Sequence, residues 1–264
     1  DQDYNASISG ASERVNYYMS LGYLHNEGAV VGNEYQAIRS NMKIDGEVTK
    51  WFQVGINVNF QDRSDGDIQP NLGTNYWDSN PLRLSPYASY KDENGNLVHR
   101  PMGPTQGYAY NYDFNRQFMD LEKGYMVLNT ILTAKIILPF NITYSFNAAP
   151  RYQYFYDRYF ESSKHPDWKS SHNGLVNREQ AKRFDWSLNN TINWDYTFNK
   201  KHRVNLTLVQ EAEERRYWRD RIEARNILPS DALGFHNTQN GDKTKSTYLS
   251  EDTHETADAL LARL

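Results

Sequence analysis

Seven histidines, His25, His99, His165, His172, His202, His236 and His254, are scattered along the chain. No two stand at the spacing of a metal-binding pair, so no metal site is expected from them. Asp65-Gly66-Asp67 and Asp92-Glu93-Asn94-Gly95-Asn96 bring oxygen ligands close together, as calcium loops do. Neither completes the EF-hand order of ligands, and solvated acidic turns are the ordinary source of such runs. Glu211 with Glu213 or Glu214 offers the two carboxylates that glycoside hydrolysis uses, but nothing in the spacing fixes their geometry. No Gly-x-Ser-x-Gly elbow occurs. Catalysis is therefore not expected, and no cofactor is implied. The residues left with something to do are those that bind. Tyr76, Trp77, Tyr87, Tyr90, Tyr108, Tyr110 and Tyr112 crowd one stretch beside Asn75, Asp78 and Arg83, and aromatic faces next to such polar groups suit sugars or peptides. The competing reading is that these rings pack a small core of the loop itself or touch a partner.

The elements around that stretch are strands. From Ile142 to Tyr154, Ile142, Tyr144, Phe146, Ala148, Pro150, Tyr152 and Tyr154 fall on one face and Thr143, Ser145, Asn147, Ala149, Arg151 and Gln153 on the other, the two-residue period of a strand. The cleanest case sets Phe52, Val54, Ile56, Val58 and Phe60 against Gln53, Gly55, Asn57, Asn59 and Gln61. Further strands are predicted over Tyr4–Ser12, Val15–His25, a segment with Ile38, Met42 and Ile44 apolar, Met126–Leu138, Phe184–Tyr196, a segment from Val204 to Leu208 and Ala257–Leu264. Tight turns are predicted at Glu13-Arg14, Glu47-Val48, Pro139-Phe140 and Asn199-Lys200. They alternate with a medium loop at Asn26–Asn33 and long loops at Asp62–Gly124, Ser162–Glu179 and Ile227–Glu255. The first long loop should contain a small hairpin, Tyr90–Val98, turning at Asn94-Gly95. A connection of that length is usually functional.

The chain has 264 residues, a net charge of −4 and no cysteine. No polycation for nucleic acid is present. Mean hydropathy is −0.85, and no apolar run approaches the roughly 20 residues of a membrane helix. A transmembrane β-barrel remains open, because only half of each strand faces lipid, and short turns alternating with long loops are its signature. The 20 Tyr and 6 Trp gather near strand ends. Trp51, Phe52, Phe140, Trp194 and Tyr196 flank the short turns, and Tyr23, Phe60, Tyr152, Tyr154 and Tyr156 lie nearer the loops, as interface girdles do. The fold class expected is all-β: about nine strands of an antiparallel transmembrane barrel, an odd number that cannot close alone, with the turns periplasmic and the loops outside. Arg39, Lys43, Asn57, Asn59, Asn129, Lys135, Arg151 and Gln153 then face the lumen, where a plug or water would meet them, and Arg39 and Arg151 join the aromatic set as candidate substrate-binding residues. A passive porin or surface adhesin and a soluble carbohydrate-binding β-domain are the alternatives.

NYYMSLGYLHNEG (Asn16–Gly28), VTKWFQVGINVNF (Val48–Phe60), SNPLRLSPYASYKDENGN (Ser79–Asn96) and NILPSDALGF (Asn226–Phe235) resemble, in that order, motifs of the SusC/RagA-like TonB-dependent transporters of Bacteroidetes outer membranes. The resemblance implies that residues 1–264 are part of a barrel of roughly 22 strands with a plugged lumen. Signal peptide, plug domain and the remaining strands have no counterpart in the sequence. It further implies active import of an oligosaccharide or peptide, outer-membrane lipid around the barrel, a SusD-like surface lipoprotein as lid, and TonB as the source of energy through the missing N-terminal part.

Overall fold

A strand needs its period-two pattern only where its two faces meet different surroundings, so the observed strands outrun their apolar stretches. In a computed structural model, residues 1–29, 32–66, 84–103, 111–168, 173–199, 201–227 and 232–264 are described. Ten strands form one antiparallel sheet: β1 (Gln2–Ala11), β2 (Val15–Glu27), β3 (Glu34–Thr49), β4 (Phe52–Asp65), β5 (Met119–Leu138), β6 (Ile142–Ala148), β7 (Arg151–Glu161), β8 (Leu175–Phe198), β9 (His202–Arg225) and β10 (Thr247–Arg263). Each pairs with its chain neighbour, and β6 and β7 lie end to end between β5 and β8 in unbroken register. They are one crossing, interrupted where Pro150 has no N–H to give. The nine crossings agree with the sequence expectation, and β1 and β10 are the two edges of the sheet.

Register aligns the faces. One cross-strand row runs Gly10, Tyr17, Ile44, Ile56, Leu132, Ala148, Leu188, Ala212. The row on the other face three residues away runs Ser7, Ser20, Asn41, Asn59, Asn129, Arg151, Asp185, Arg215. The apolar face is bare: Ile8 and Leu21 are each 60% exposed. Apolar surface this continuous is not left to water by a soluble domain, which disposes of the carbohydrate-binding alternative. The hollow side is the polar one, since both large concavities of the sheet are lined mainly by polar-face residues.

The short connections at Glu13-Arg14 and Pro139-Phe140 fall where expected. The turn expected at Glu47-Val48 is corrected, since β3 runs on through a bulge to Thr49 and turns at Lys50-Trp51. Lys200 of the fourth turn lies outside the described residues. Between β5 and β6, Phe140 and Asn141 both take positive φ (64° and 60°), the geometry whose twist suits a two-residue hairpin. The Phe140 ring is thereby thrown outward, 78% exposed, and the Trp194 indole N–H donates to the Phe140 carbonyl at 3.1 Å. At the next turn the Trp194 and Tyr196 rings stack at 6.0 Å. This is the interface girdle, with apolar rings and wet tips.

The loop boundaries need correction. β4 continues to Asp65 and β5 begins at Met119, so the first long loop is shorter than Asp62–Gly124. β8 starts at Leu175, not after Glu179, and β10 at Thr247, well before Glu255. Beyond the apolar band, as at Asp62–Asp65 of β4 and Asn177–Gln180 of β8, these strands carry polar residues on both faces, so the alternation that marks a strand in the bilayer disappears while the backbone pairing continues. Above those ends, Phe160, Val176 and Ala224 are covered by Ile227 and Phe235 of the β9–β10 connection, forming a small core with Val176 fully buried.

Candidate functional site

The hollow face carries the polar residues at the spacing that pairing dictates. Arg39 of β3 lies opposite Gln61 of β4, Gln61 opposite Val127 of β5, and Val127 opposite Gln153 of β7. One row towards the turns, Asn41, Asn59, Asn129 and Arg151 follow. Together with Asn5 and Tyr125 these residues line a groove of about 440 Å³, with Arg39 and Arg151 both on its walls. The groove is built for hydrogen bonding. The Asn41 amide donates to the Asn57 and Asn59 carbonyls, and the Asn59 amide donates to Asn57 at 3.3 Å. Arg39 donates to Asp3 at 3.0 Å and Arg151 to Gln153 at 3.4 Å. A second groove of about 560 Å³, nearer the turns, holds Glu13, Arg14, Asp45, Gln53 and Lys135. In the second groove, between Asp45 and Thr133, Gly55 leaves the room its neighbours need, because a Cβ there would come within 2.5 Å of the Thr133 hydroxyl.

Of the aromatic set, Tyr76, Trp77, Tyr108 and Tyr110 lie outside the described residues, as do Asn75, Asp78 and Arg83. Tyr87 stands almost fully in solvent at 96% exposure. Tyr90 is held in place: its hydroxyl donates to the Asp113 carboxylate, and burial together with that bond pushes the phenol up to about 12. Tyr112 opens the short helix α1 (Tyr112–Arg116), and burial raises its phenol as well. The expected hairpin is present. Lys91 bridges Leu97, and Gly95 sits at φ 84°. The Asp92 carboxylate, one of the calcium-loop candidates, accepts from the Asn94 and Asn96 backbone N–H groups at 2.9 and 2.8 Å and from the Asn96 amide at 3.1 Å. Those bonds, the Asn96 amide foremost, hold its carboxyl below the usual range. It serves the turn. Asp65 is likewise engaged, by Arg63. Glu211 and Glu214 project to opposite faces of β9, so they cannot flank one bond, and Glu213, on the face of Glu211, accepts from Arg215 at 3.4 Å. Glu211 accepts from Asn189 at 2.7 Å.

Sequence spacing misses one cluster. His99, His165 and Asp167 bring donor atoms within 4.8 Å of one another, although the two histidines are far apart in the chain. Their surroundings make a clasp between loops. The His165 Nδ1 accepts from the Asp167 N–H at 3.2 Å and its Nε2 donates to Asn115 at 2.9 Å, so both ring nitrogens are occupied. Its ring is 1% exposed and stacks on Trp168 at 3.9 Å. Arg100 donates to both Asp167 oxygens, at 3.2 and 3.3 Å. The helix is tied in by Asn111, fully buried, whose side chain accepts from the Phe114 N–H and donates to the Tyr90 carbonyl. No one-dimensional signal would have found this cluster, because the partners come from two different loops.

Comparison with known protein families gives no match. Two TonB-dependent receptors of Formosa agariphila are similar in sequence, one 28% identical over 76% of this chain and the other 26% identical over 94%. The chain spans only 18% and 24% of their lengths. Among solved structures, the RagAB peptide transporter superposes on 98% of the chain with a TM-score of 0.75 at 19% identity, the match taking 29% of that chain. The ferripyoverdine receptor of the Pseudomonas aeruginosa outer membrane matches more loosely, with a TM-score of 0.54 at 11% identity over 99% of this chain and 33% of that one. The loop and turn order, the bare apolar face, the four motifs and these relatives converge: the chain is similar to TonB-dependent receptors of the SusC/RagA kind, and the residues described have the fold of part of an outer-membrane β-barrel.

Proposed function

We propose that the chain forms part of the wall of a TonB-dependent importer that carries an oligosaccharide or a peptide across the outer membrane, with a SusD-like lipoprotein closing it from outside. The observation that carries this reading is the groove holding Arg39 and Arg151 on the hollow face, amid amide side chains and opposite the apolar face. Guanidinium groups and primary amides together suit the carboxylates and peptide groups of a peptide, or the hydroxyls of a glycan. A lumen that holds a plug uses the same residues to seat it, and a moving plug would trade those bonds for substrate. The relatives named as TonB-dependent receptors favour an energised importer over a passive porin.

The test is uptake by cells expressing the full-length receptor with Arg39→Glu and Arg151→Glu together, using labelled peptides and labelled oligosaccharides in parallel. Uptake of one class should fall while heat-modifiable barrel still accumulates in the outer membrane. Undiminished uptake of both classes would remove the groove from the transport path.

A further inference from the structure

Above the lipid-facing rows, on the outward side, the sheet carries an arrangement that neither transport nor barrel closure requires. Arg158 of β7 and Arg178 of β8 are direct cross-strand partners. Like charges placed opposite each other on one face repel, and a stable sheet avoids the pairing or neutralises it. Arg158 has a partial answer, donating to Glu122 at 3.0 Å, and its guanidinium lies 5.5 Å from the Tyr156 ring centre. Among the described residues, Arg178 makes no ion pair, and neither does Lys182, exposed and two same-face positions nearer the lipid, with Gln180 between them. Asp220, on the same face, is engaged by the Ser250 hydroxyl at 2.8 Å.

Glu179 is taken up by Arg219 at 2.9 and 3.0 Å. Together with Glu179, Tyr154, Tyr156 and Thr238, the groups Arg158, Arg178 and Asp220, but not Lys182, line a pocket of about 170 Å³. Its position is defined from below and above. Below lies the row of Met126 and Tyr154, the end of the apolar band on β5 and β7. Above, the β9–β10 connection overhangs the sheet, burying Phe160 and Val176, and contributes Thr238 to the pocket rim. At about 3.3 Å per residue and a tilt of about 40°, Arg178 stands about 10 Å above that last apolar row and Lys182 about level with it. The headgroup layer on each side of a bilayer occupies roughly 5–8 Å beyond the hydrocarbon. The cations therefore bracket it.

We propose that this ledge binds a phosphate of an outer-leaflet glycolipid, Arg158 and Arg178 holding the phosphate, Lys182 lying beneath it and Tyr154 and Tyr156 packing against the glycolipid. An anion between the two guanidinium groups converts a repulsive cross-strand pair into two charge-assisted contacts. The inference rests on the long loops facing outside, and is independent of what the receptor imports.

The experiment uses the full-length receptor in detergent, titrated with fluorescent bisphosphorylated lipid A and, separately, with the same lipid after phosphatase treatment. The Arg158→Glu, Arg178→Glu double variant should bind intact lipid A about tenfold more weakly or worse, as loss of two charge-assisted contacts implies. The dephosphorylated lipid should bind the unmodified receptor no better than intact lipid binds the variant. Arg203→Ala, near the β8–β9 turn, should bind normally. Should the double variant fail to assemble, Arg178→Gln adds no charge and should still weaken binding about threefold. Equal affinity of the variants and the unmodified receptor, equal affinity for the two lipids, or complete displacement of lipid A by inorganic phosphate alone would each overturn the proposal. Unaltered uptake by the same variants would leave the import reading standing whatever the lipid result.

Discussion

Ile56 and Asn57 are adjacent in β4 and lie on opposite faces, so the same substitution at each isolates the assignment of the faces. Ile56 lies midway between Phe52 and Phe60, the two aromatic ends of the apolar row. Four residues of tilted strand on either side correspond to about 10 Å, placing Ile56 near the centre of an apolar band about 25 Å tall. Its cross-strand partners are Ile44 and Leu132, which offer an arginine nothing to bond. Ile56→Arg should therefore cost about 2–4 kcal/mol. Asn57 faces the groove, with Asn41 and Asn59 as amide neighbours and Lys43 as its partner across the pair. Asn57→Arg gives up two long hydrogen bonds, of 3.4 and 3.3 Å, and adds a like charge beside Lys43, together about 1–2 kcal/mol in a wet lumen. Reversible guanidinium unfolding of the full-length receptor in vesicles measures both. Equal losses, or a larger loss at Asn57, would mean that the apolar face does not meet lipid.

With no cysteine in the chain, single thiols introduced by Glu13→Cys and Tyr87→Cys report orientation: an impermeant maleimide on whole cells should label the second and not the first, and labelling at Glu13 would invert the topology. Asn111→Ala removes a helix cap and leaves the Tyr90 carbonyl short of its donor, which should loosen the loop by about 1–2 kcal/mol; faster deuterium uptake over residues 84–118, with the strands unchanged, would show it. Burial lowers the His99 pKa from its ordinary 6.5 despite the opposing charge of Asp167. A histidine depressed in the folded state contributes stability that is full above its unfolded pKa and is lost as pH falls through the folded value. The clasp should therefore hold above the ordinary histidine range and loosen as pH falls below it, seen as deuterium uptake at residues 161–168, and His99→Gln should remove that pH dependence.

What was legible in the sequence follows from what the bilayer demands. Val54, Ile56 and Val58 are apolar because lipid touches them, and Gln53, Gly55 and Asn57 are polar or small because lipid does not, so a period of two survives in the letters and gives face and register. Tight turns were legible for a similar reason, since positive φ at Asn141 and Asn199 favours few residue types. The clasp of His99, His165 and Asp167 was not, because its members approach only when two loops fold against one another. The binding groove was half legible. Period placed Arg39 and Arg151 on one face, but only cross-strand register shows that they share a wall.

The misplaced loop boundaries have the same cause as the lipid ledge. Once a strand leaves the bilayer, its outward positions no longer have to be apolar, and the alternation by which the strand was recognised ends there. Pairing continues for about ten residues on β8 and β9, so the sheet still imposes a rigid and regular spacing on whatever side chains stand outward. These positions combine the chemical freedom of a loop with the geometric order of a strand. Arg158 and Arg178 occupy that zone, with Lys182 at its lower edge beside Tyr154. A charge inside the apolar band would have cost several kcal/mol with no partner, and a charge in a mobile loop would have had no fixed neighbour. The strand extensions are the part of the described outward surface where paired charges can be held at a set height above the lipid, which is why recognition of the membrane surface itself is sought there and recognition of cargo on the hollow face.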